Sequence, residues 1–385
     1  MSARRVAEGS FSVYSMGVHT KYRGRAAKGI VIMKKLFFLF ALSFYCLIAA
    51  AEDQNAYRVL VLGDVHYDRT ELHTDPNLAK KRNLKMWKAA TPALLAYAGE
   101  LAEAESAAFV VQLGDITQGY AGTPELQRKM LTEGVAAVKE YFPETPLLIV
   151  RGNHDVSVLK GTGDDRSPAD AVLIPATPDI PGLKKSEKNG NYALRMGKDL
   201  FIAVDGFLPA KEVVGFVKGT LDANPDARYV FFLTHLPVLP ASAKAPFWLL
   251  PGHYEIAELL ENRQALILAA HTHVPSLTTR TTERGKLTQL VISSMGSQWA
   301  PDRVLAPKVT SWQEFVEIGK AQPPIGWNKK NRKRWPVLNA KGQYEFRQLF
   351  LNGGCAVLRV DDDGCAVEYH NGGKQPAYIL RLAQK

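Results

Sequence analysis

Gly152-Asn153-His154-Asp155 follows the apolar stretch Pro146–Val150, and its reading decides the fold. A strand that closes on Gly, Asn, His and Asp offers ligand atoms where the chain turns rather than where it packs. Asn is a poor ligand for a lone cation because its carbonyl is neutral. It makes sense where two cations already have carboxylates and further negative charge is unwelcome. His154 need not be a ligand. It could meet a substrate phosphate or give a proton to a leaving oxygen, with Asp155 holding its ring.

Four more runs have the same placement. Gly63-Asp64-Val65-His66 follows Tyr57–Leu62, and Leu113-Gly114-Asp115 closes Ala107–Leu113. Thr234-His235 follows Tyr229–Leu233, and Ala270-His271-Thr272-His273 follows Ala265–Ala269. Each is ordinary alone: Asp-x-His is common, and a lone Asp before a helix is often an N-cap. Together they put Asp64, His66, Asp115, Asn153, His235, His271 and His273 at strand exits, where α/β proteins gather binding sites. Asp115 has two oxygens and could bridge two metals. His271 and His273 alternate on an extended segment, so their rings diverge and each could serve a different ion. The set suffices for two divalent or trivalent cations. All seven donors are N or O, which suits Fe, Mn, Zn or Co and does not choose among them. Such a set points to hydrolysis of a phosphate ester.

In this order the runs closely resemble the calcineurin-like metallophosphoesterase family. Its pattern is Asp-x-His, Gly-Asp, Gly-Asn-His-Asp/Glu, His and Gly-His-x-His. The resemblance spans residues 57–275. Ala270 departs from it, standing where the family usually has Gly. Both histidines follow, so the expectation is altered backbone packing rather than a lost metal. The resemblance implies an α/β fold, a four-layer α/β/β/α sandwich, here with a C-terminal β-rich extension. It implies one metal on Asp64, His66, Asp115 and His273, and a second on Asp115, Asn153, His235 and His271. A hydroxide bridging the metals would attack phosphorus in line, with His154 stabilising the phosphoryl oxygens. Within the family, purple acid phosphatases carry Tyr three residues after the second Asp. Gln118 stands there, and Tyr120 lies two further on. Two-domain 5′-nucleotidases carry a large C-terminal domain, whereas about 110 residues follow His273. The bacterial cyclic-nucleotide phosphodiesterase branch fits, but not uniquely. The rival from another class is a non-catalytic binding module that keeps the fold. It expects degraded ligands, and none is missing.

The formal charge of +10 suggests a nucleic-acid partner, but residues 1–51 carry eight Lys or Arg and one Glu. That leaves +3 for the rest, so no specific nucleic-acid binding is expected. Lys34 and Lys35 precede sixteen uncharged residues, Leu36–Ala51, that end in three alanines. Residues 33–51 therefore read as a signal peptide of an exported, periplasmic or secreted protein, with no stable membrane span after cleavage. Residues 1–32 read as an upstream extension, 55–298 as the catalytic core, 299–345 as an irregular cap or loop region, and 346–385 as strands completing the sandwich. Cys355–Val360 and Cys365–His370 read as a hairpin that faces Cys365 with Val360 and Cys355 with His370. The thiols are then too far apart for a disulfide. A helical pattern covers Pro76–Ser106, with Thr91-Pro92 marking a kink or a second N-terminus. Five of the six tryptophans fall between Trp248 and Trp335. They could line a substrate cleft or pack irregular loops onto the sandwich.

Overall fold

The computed structural model describes residues 56–75, 77, 87–88, 90–159, 165–242, 248–296, 313–314, 316–317, 342–349 and 353–382. The expected extension and signal peptide lie outside them, as does most of the expected 299–345 region. Among the described residues, no helix is long and apolar enough to cross a membrane.

Two sheets face each other. The first has six strands in the order β14-β13-β12-β1-β2-β3. β1 (Tyr57–Leu62), β2 (Phe109–Gln112) and β3 (Leu147–Ile149) pair in parallel, and the C-terminal β12 (Cys355–Val360) lies antiparallel beside β1. β13 (Cys365–His370) and β14 (Tyr378–Leu382) complete that sheet. The second has eight strands in the order β11-β9-β10-β8-β7-β6-β5-β4. They are β4 (Leu183–Lys185), β5 (Tyr192–Met196), β6 (Asp199–Ala203), β7 (Val230–Leu233), β8 (Ala265–Ala269), β9 (Ser276–Thr282), β10 (Gly285–Val291) and β11 (Gln343–Gln348). The chain's last strands are thus divided, β11 on one sheet and β12–β14 on the other.

Parallel strands buried on both faces should read as continuous apolar runs; β7 and β8 do, and β1 and β2 do apart from Arg58 and Gln112. Their alternate residues fill different layers. Val59, Val61, Phe109 and Val111 meet Phe201, Phe231, Leu233 and Leu268 between the sheets. Leu60, Leu62 and Val110 face α1 (Thr91–Ala104), α2 (Pro124–Lys139) and α4 (Ser167–Ala176), which send in Leu94, Leu131 and Leu173. Ile202, Phe232 and Ile267 face α5 (Ala210–Asp222) and α6 (His253–Leu260) through Val213, Val217 and Ile256. The short α3 (Asn153–Val156) carries the motif that opened the sequence reading. The layers are α/β/β/α.

Helix α1 starts at Thr91 with Pro in its first turn, so Thr91-Pro92 is a helix N-terminus rather than a kink. The hairpin register pairs Cys365 with Val360 and Cys355 with His370, and both thiols are free and buried.

Two polar clamps join the sheets at opposite ends. At one end Asp199 on β6 accepts from Tyr57 Oη on β1 at 2.9 Å and from Arg228 at 2.7 and 3.0 Å. At the other, fully buried Arg151, just after β3, donates to Asp205 after β6 at 2.5 Å and to Asp170 at 2.6 Å. Arg166 also binds Asp205. Removing one partner of a buried pair strands the other, at a cost of about 3–5 kcal/mol, whereas exposed pairs contribute about 0–1 kcal/mol. Asp205→Ala should therefore lower unfolding free energy in urea by about 3 kcal/mol or more. Asp226→Ala, which breaks only the exposed Arg195 pair, should change it by less than about 1 kcal/mol. Equal effects would contradict the clamp.

Candidate metal centre

Five strand exits on the two facing sheets converge. β1 delivers Asp64 and His66, β2 delivers Asp115, and β3 leads through Arg151 and Gly152 into Asn153 and His154 on α3. From the other sheet β7 delivers His235, and β8 delivers His271 and His273. One ligand atom from each of Asp64, His66, Asp115 and His273 lies within 4.8 Å of the others. The same holds for Asp115, His235 and His271, and Asn153 Oδ1 stands 3.0 Å from His235 Nε2. All seven sequence-derived candidates are thus brought together, and Asp115 belongs to both groups.

The backbone bends hard to do this. His66, Asp115, His271 and His273 have φ of 52°, 54°, 70° and 55°. Of the non-glycine residues described, only Ser106 and Tyr120 share that left-handed region. Each such residue costs about 1–3 kcal/mol and persists where its surroundings over-determine it. Gly152 meets a different demand, space. A Cβ there would stand 2.0 Å from Asp115 N and 2.2 Å from Asp115 Oδ1. Ala270 needs no such allowance: φ is not positive there, and its methyl is buried in the core between the sheets. The left-handed turn begins one residue later, at His271, so the family's usual Gly is not needed here.

Hydrogen bonds set which atoms face inward. Asp115 Oδ1 accepts from His154 N at 2.8 Å, which leaves Oδ2 for the centre. That single oxygen lies 3.4 Å from His235 Nε2 and 3.9 Å from His66 Nε2, so one oxygen, not two, faces both groups. His235 Nδ1 donates to Leu113 O at 2.9 Å, which fixes the ring and turns Nε2 inward. That nitrogen faces Asp115 Oδ2 at 3.4 Å, Asn153 Oδ1 at 3.0 Å and His271 Nδ1 at 3.1 Å. His66 Nε2 and His273 Nε2 confront each other at 3.0 Å. Among the described residues, neither oxygen of buried Asp64 has a hydrogen-bond donor. Imidazole nitrogens crowded together beside a buried carboxylate that has no donor among the described residues are what a cation site requires, and the donor set fits one.

Without metal, the electrostatics follow the same logic. Burial disfavours charge on Asp115, but His235, His154 and His66 outweigh it and hold the carboxyl well below its ordinary value. Burial likewise opposes charge on His235, yet Asp115 and Asp64 push its pKa up to about 9. Burial and the His235 charge press His271 down to about 3.

Asp155 differs from expectation. It does not touch the His154 ring, whose Nδ1 instead donates to Gln118 O at 2.5 Å. The Asp155 carboxylate is fully buried and accepts from Asp115 N at 3.0 Å, Gly152 N at 2.9 Å, and Thr117 N and Oγ1 at 3.1 and 3.3 Å. Burial and the Asp115 charge push its pKa up to about 7, while the four donors demand the ionised form. The sequence shows an acid beside a histidine. It does not show that the acid turns inward and pins the β2 and β3 exits together.

Residues 57–275, more than half of the chain, match the profile for the calcineurin-like phosphoesterase family. The chain belongs to that family. Among solved structures of similar fold is a dimetal phosphatase from Danio rerio, 13% identical, TM-score 0.52, covering 86% of this chain and 99% of that one. A purple acid phosphatase from yellow lupin (Lupinus luteus) is 14% identical, TM-score 0.51, covering 83% of this chain and 52% of its own. PhoD is 10% identical, TM-score 0.51, covering 87% and 73%. At such identity the likeness concerns the fold. No curated protein sequence matches the chain.

The centre is open on one side. Asp64 and His235 are fully buried, whereas the His154 and His273 side chains are 20% and 36% exposed. The Tyr120 ring packs edge-on against His154, and Trp248 lies over His271. A separate cavity of about 390 Å³, lined by Tyr229, Arg263 and Ala265, lies by the opposite ends of β7 and β8 and holds none of the candidate ligands. Asp155→Ala would strip the acceptor from three N–H groups and a hydroxyl, each unpaired donor costing about 1–3 kcal/mol. The expected result is a loss of at least about 3 kcal/mol in denaturant unfolding. Unchanged stability with impaired turnover alone would instead support the ring-orienting role.

Proposed function

We propose that the chain is an exported, metal-dependent phosphoesterase that hydrolyses phosphate mono- or diesters. The observation that carries this reading is the convergence of seven N- and O-donor side chains in two groups that share Asp115 Oδ2, beside an Asp64 carboxylate that has no donor among the described residues. Asp64, His66, Asp115 and His273 would hold one cation, and Asp115, Asn153, His235 and His271 the other. When bound, two such cations supply positive charge for the phosphoryl oxygens and lower the pKa of an attacking water.

The remaining roles belong to the protein. His235 is held by Leu113 O in the orientation that presents Nε2. Asp155 fixes the spacing between the Asp115 and Asn153 turns through Asp115 N and Gly152 N. His154 sits on the open side with Nδ1 donating to Gln118 O, and its Nε2 lies 4.0 Å from Asp115 Oδ2. From there Nε2, when protonated, can donate to a phosphoryl oxygen or to the leaving alkoxide. The sequence of residues 33–51 supports export, with a mature N-terminus after Ala51.

The test combines metal analysis with turnover of an aryl phosphate and a bis(aryl) phosphate in Mn, Fe and Zn. Asp115→Asn should lose metal from both groups and abolish turnover. His154→Ala should keep both metals while kcat falls by about 10²–10⁴. Bound metal with no turnover of either ester in the unmutated protein would favour the binding-module rival.

A further inference from the structure

Three buried polar side chains on β9 and β10 are spent on a loop rather than on the metal centre. Gln289 Oε1 accepts from Val238 N at 2.8 Å and Leu239 N at 2.9 Å, and its Nε2 donates to Leu239 O at 2.8 Å. Thr278 Oγ1 donates to Pro240 O at 2.7 Å, and Ser276 Oγ donates to Ala241 O at 3.0 Å. All three residues are fully buried, so these bonds satisfy groups that would otherwise destabilise the core. Leu250 N donates to Pro237 O at 2.8 Å and closes the loop at its base. Residues 238–241 are thereby held to β9 and β10, and Leu250, two residues after Trp248, is held to Pro237.

The indole of Trp248 lies against a candidate ligand. Its ring centroid is 4.9 Å from that of His271, at an interplanar angle of 56°, yet 38% of Trp248 remains exposed. A tryptophan serving only to shield His271 would itself be covered. On the neighbouring ligand, the Phe207 ring lies 6.4 Å from His235. The group of Asp115, His235 and His271 therefore has an aromatic border, and its Trp248 part is open to solvent.

We infer that Trp248 determines specificity by stacking a flat aromatic ring in the organic part of the phosphate ester, held beside His271. An indole face gains most from another planar π-system, and loss of one such stack costs about 1–3 kcal/mol. A polyol or short alkyl ester presents no ring to stack. This selectivity rests on the phosphoesterase reading of the same centre.

The experiment compares the full chain with Trp248→Ala and Trp248→Phe, each checked for metal content. The selectivity ratio is kcat/KM for phenyl phosphate over that for glycerol 2-phosphate. It should fall about tenfold or more in Trp248→Ala, chiefly through KM for the aryl ester, and recover in large part in Trp248→Phe. A ratio equal to that of the unmutated protein overturns the inference. Calorimetric binding of phenylphosphonate against methylphosphonate separates the two claims. If the unmutated protein hydrolyses neither ester, the proposed function fails. The inference then stands only if Trp248→Ala weakens the aryl phosphonate about tenfold relative to the methyl one. Equal weakening, or none, overturns it.

Discussion

Everything at the centre depends on how one carboxylate is divided. Asp115 gives Oδ1 to the backbone N–H of His154 and turns Oδ2 toward both groups of candidate ligands. Its carbonyl accepts from Val65 N and His66 N, and its own N–H is held by Asp155. The exits of β1, β2 and β3 are therefore locked to one another through a single residue in a left-handed conformation. The facing sheet contributes histidines only, whereas the first brings both carboxylates, the amide and His66. The Arg151–Asp205 pair holds the sheets together at this same end.

Much of this was legible because the informative signals are local. An apolar run of four to six residues ending on Gly-Asp, Thr-His or Ala-His reads the same whether or not the rest of the chain is understood. β1, β2, β7 and β8 are such runs, and so is the β12–β13 hairpin with its cysteine register. What the sequence hid was polar and tertiary. β9, Ser-Leu-Thr-Thr-Arg-Thr-Thr, has no apolar run to announce it, and Ser276 and Thr278 are buried because they bond the backbone of residues 240 and 241. β4 is three residues long with two exposed lysines, and only its pairing with β5 makes it a strand. Helix α4 carries Pro175 within it, which breaks the helical pattern in sequence.

At the site the same division holds. The identity of every candidate ligand could be read from its run, since each is a polar residue at a strand exit. The job of each atom could not. Asp155 is adjacent in sequence to His154 but bonds residues about 40 positions away, and Gln118 holds the His154 ring through a carbonyl that leaves no trace in the side-chain pattern. Left-handed φ at His66, Asp115, His271 and His273 is equally invisible, because none is the glycine that such a conformation normally announces.

The central claim is that these seven residues hold two cations that share Asp115. Calorimetric titration of the metal-stripped protein with Mn or Zn at pH 7, in two buffers of different ionisation enthalpy, tests it most directly. His235, raised to about 9 in the metal-free protein, is protonated at that pH and must be neutral to bind a cation. The account predicts two equivalents per chain with net release of about one proton, and affinity that rises as pH increases toward 9. A single equivalent, or binding without proton release, would contradict it.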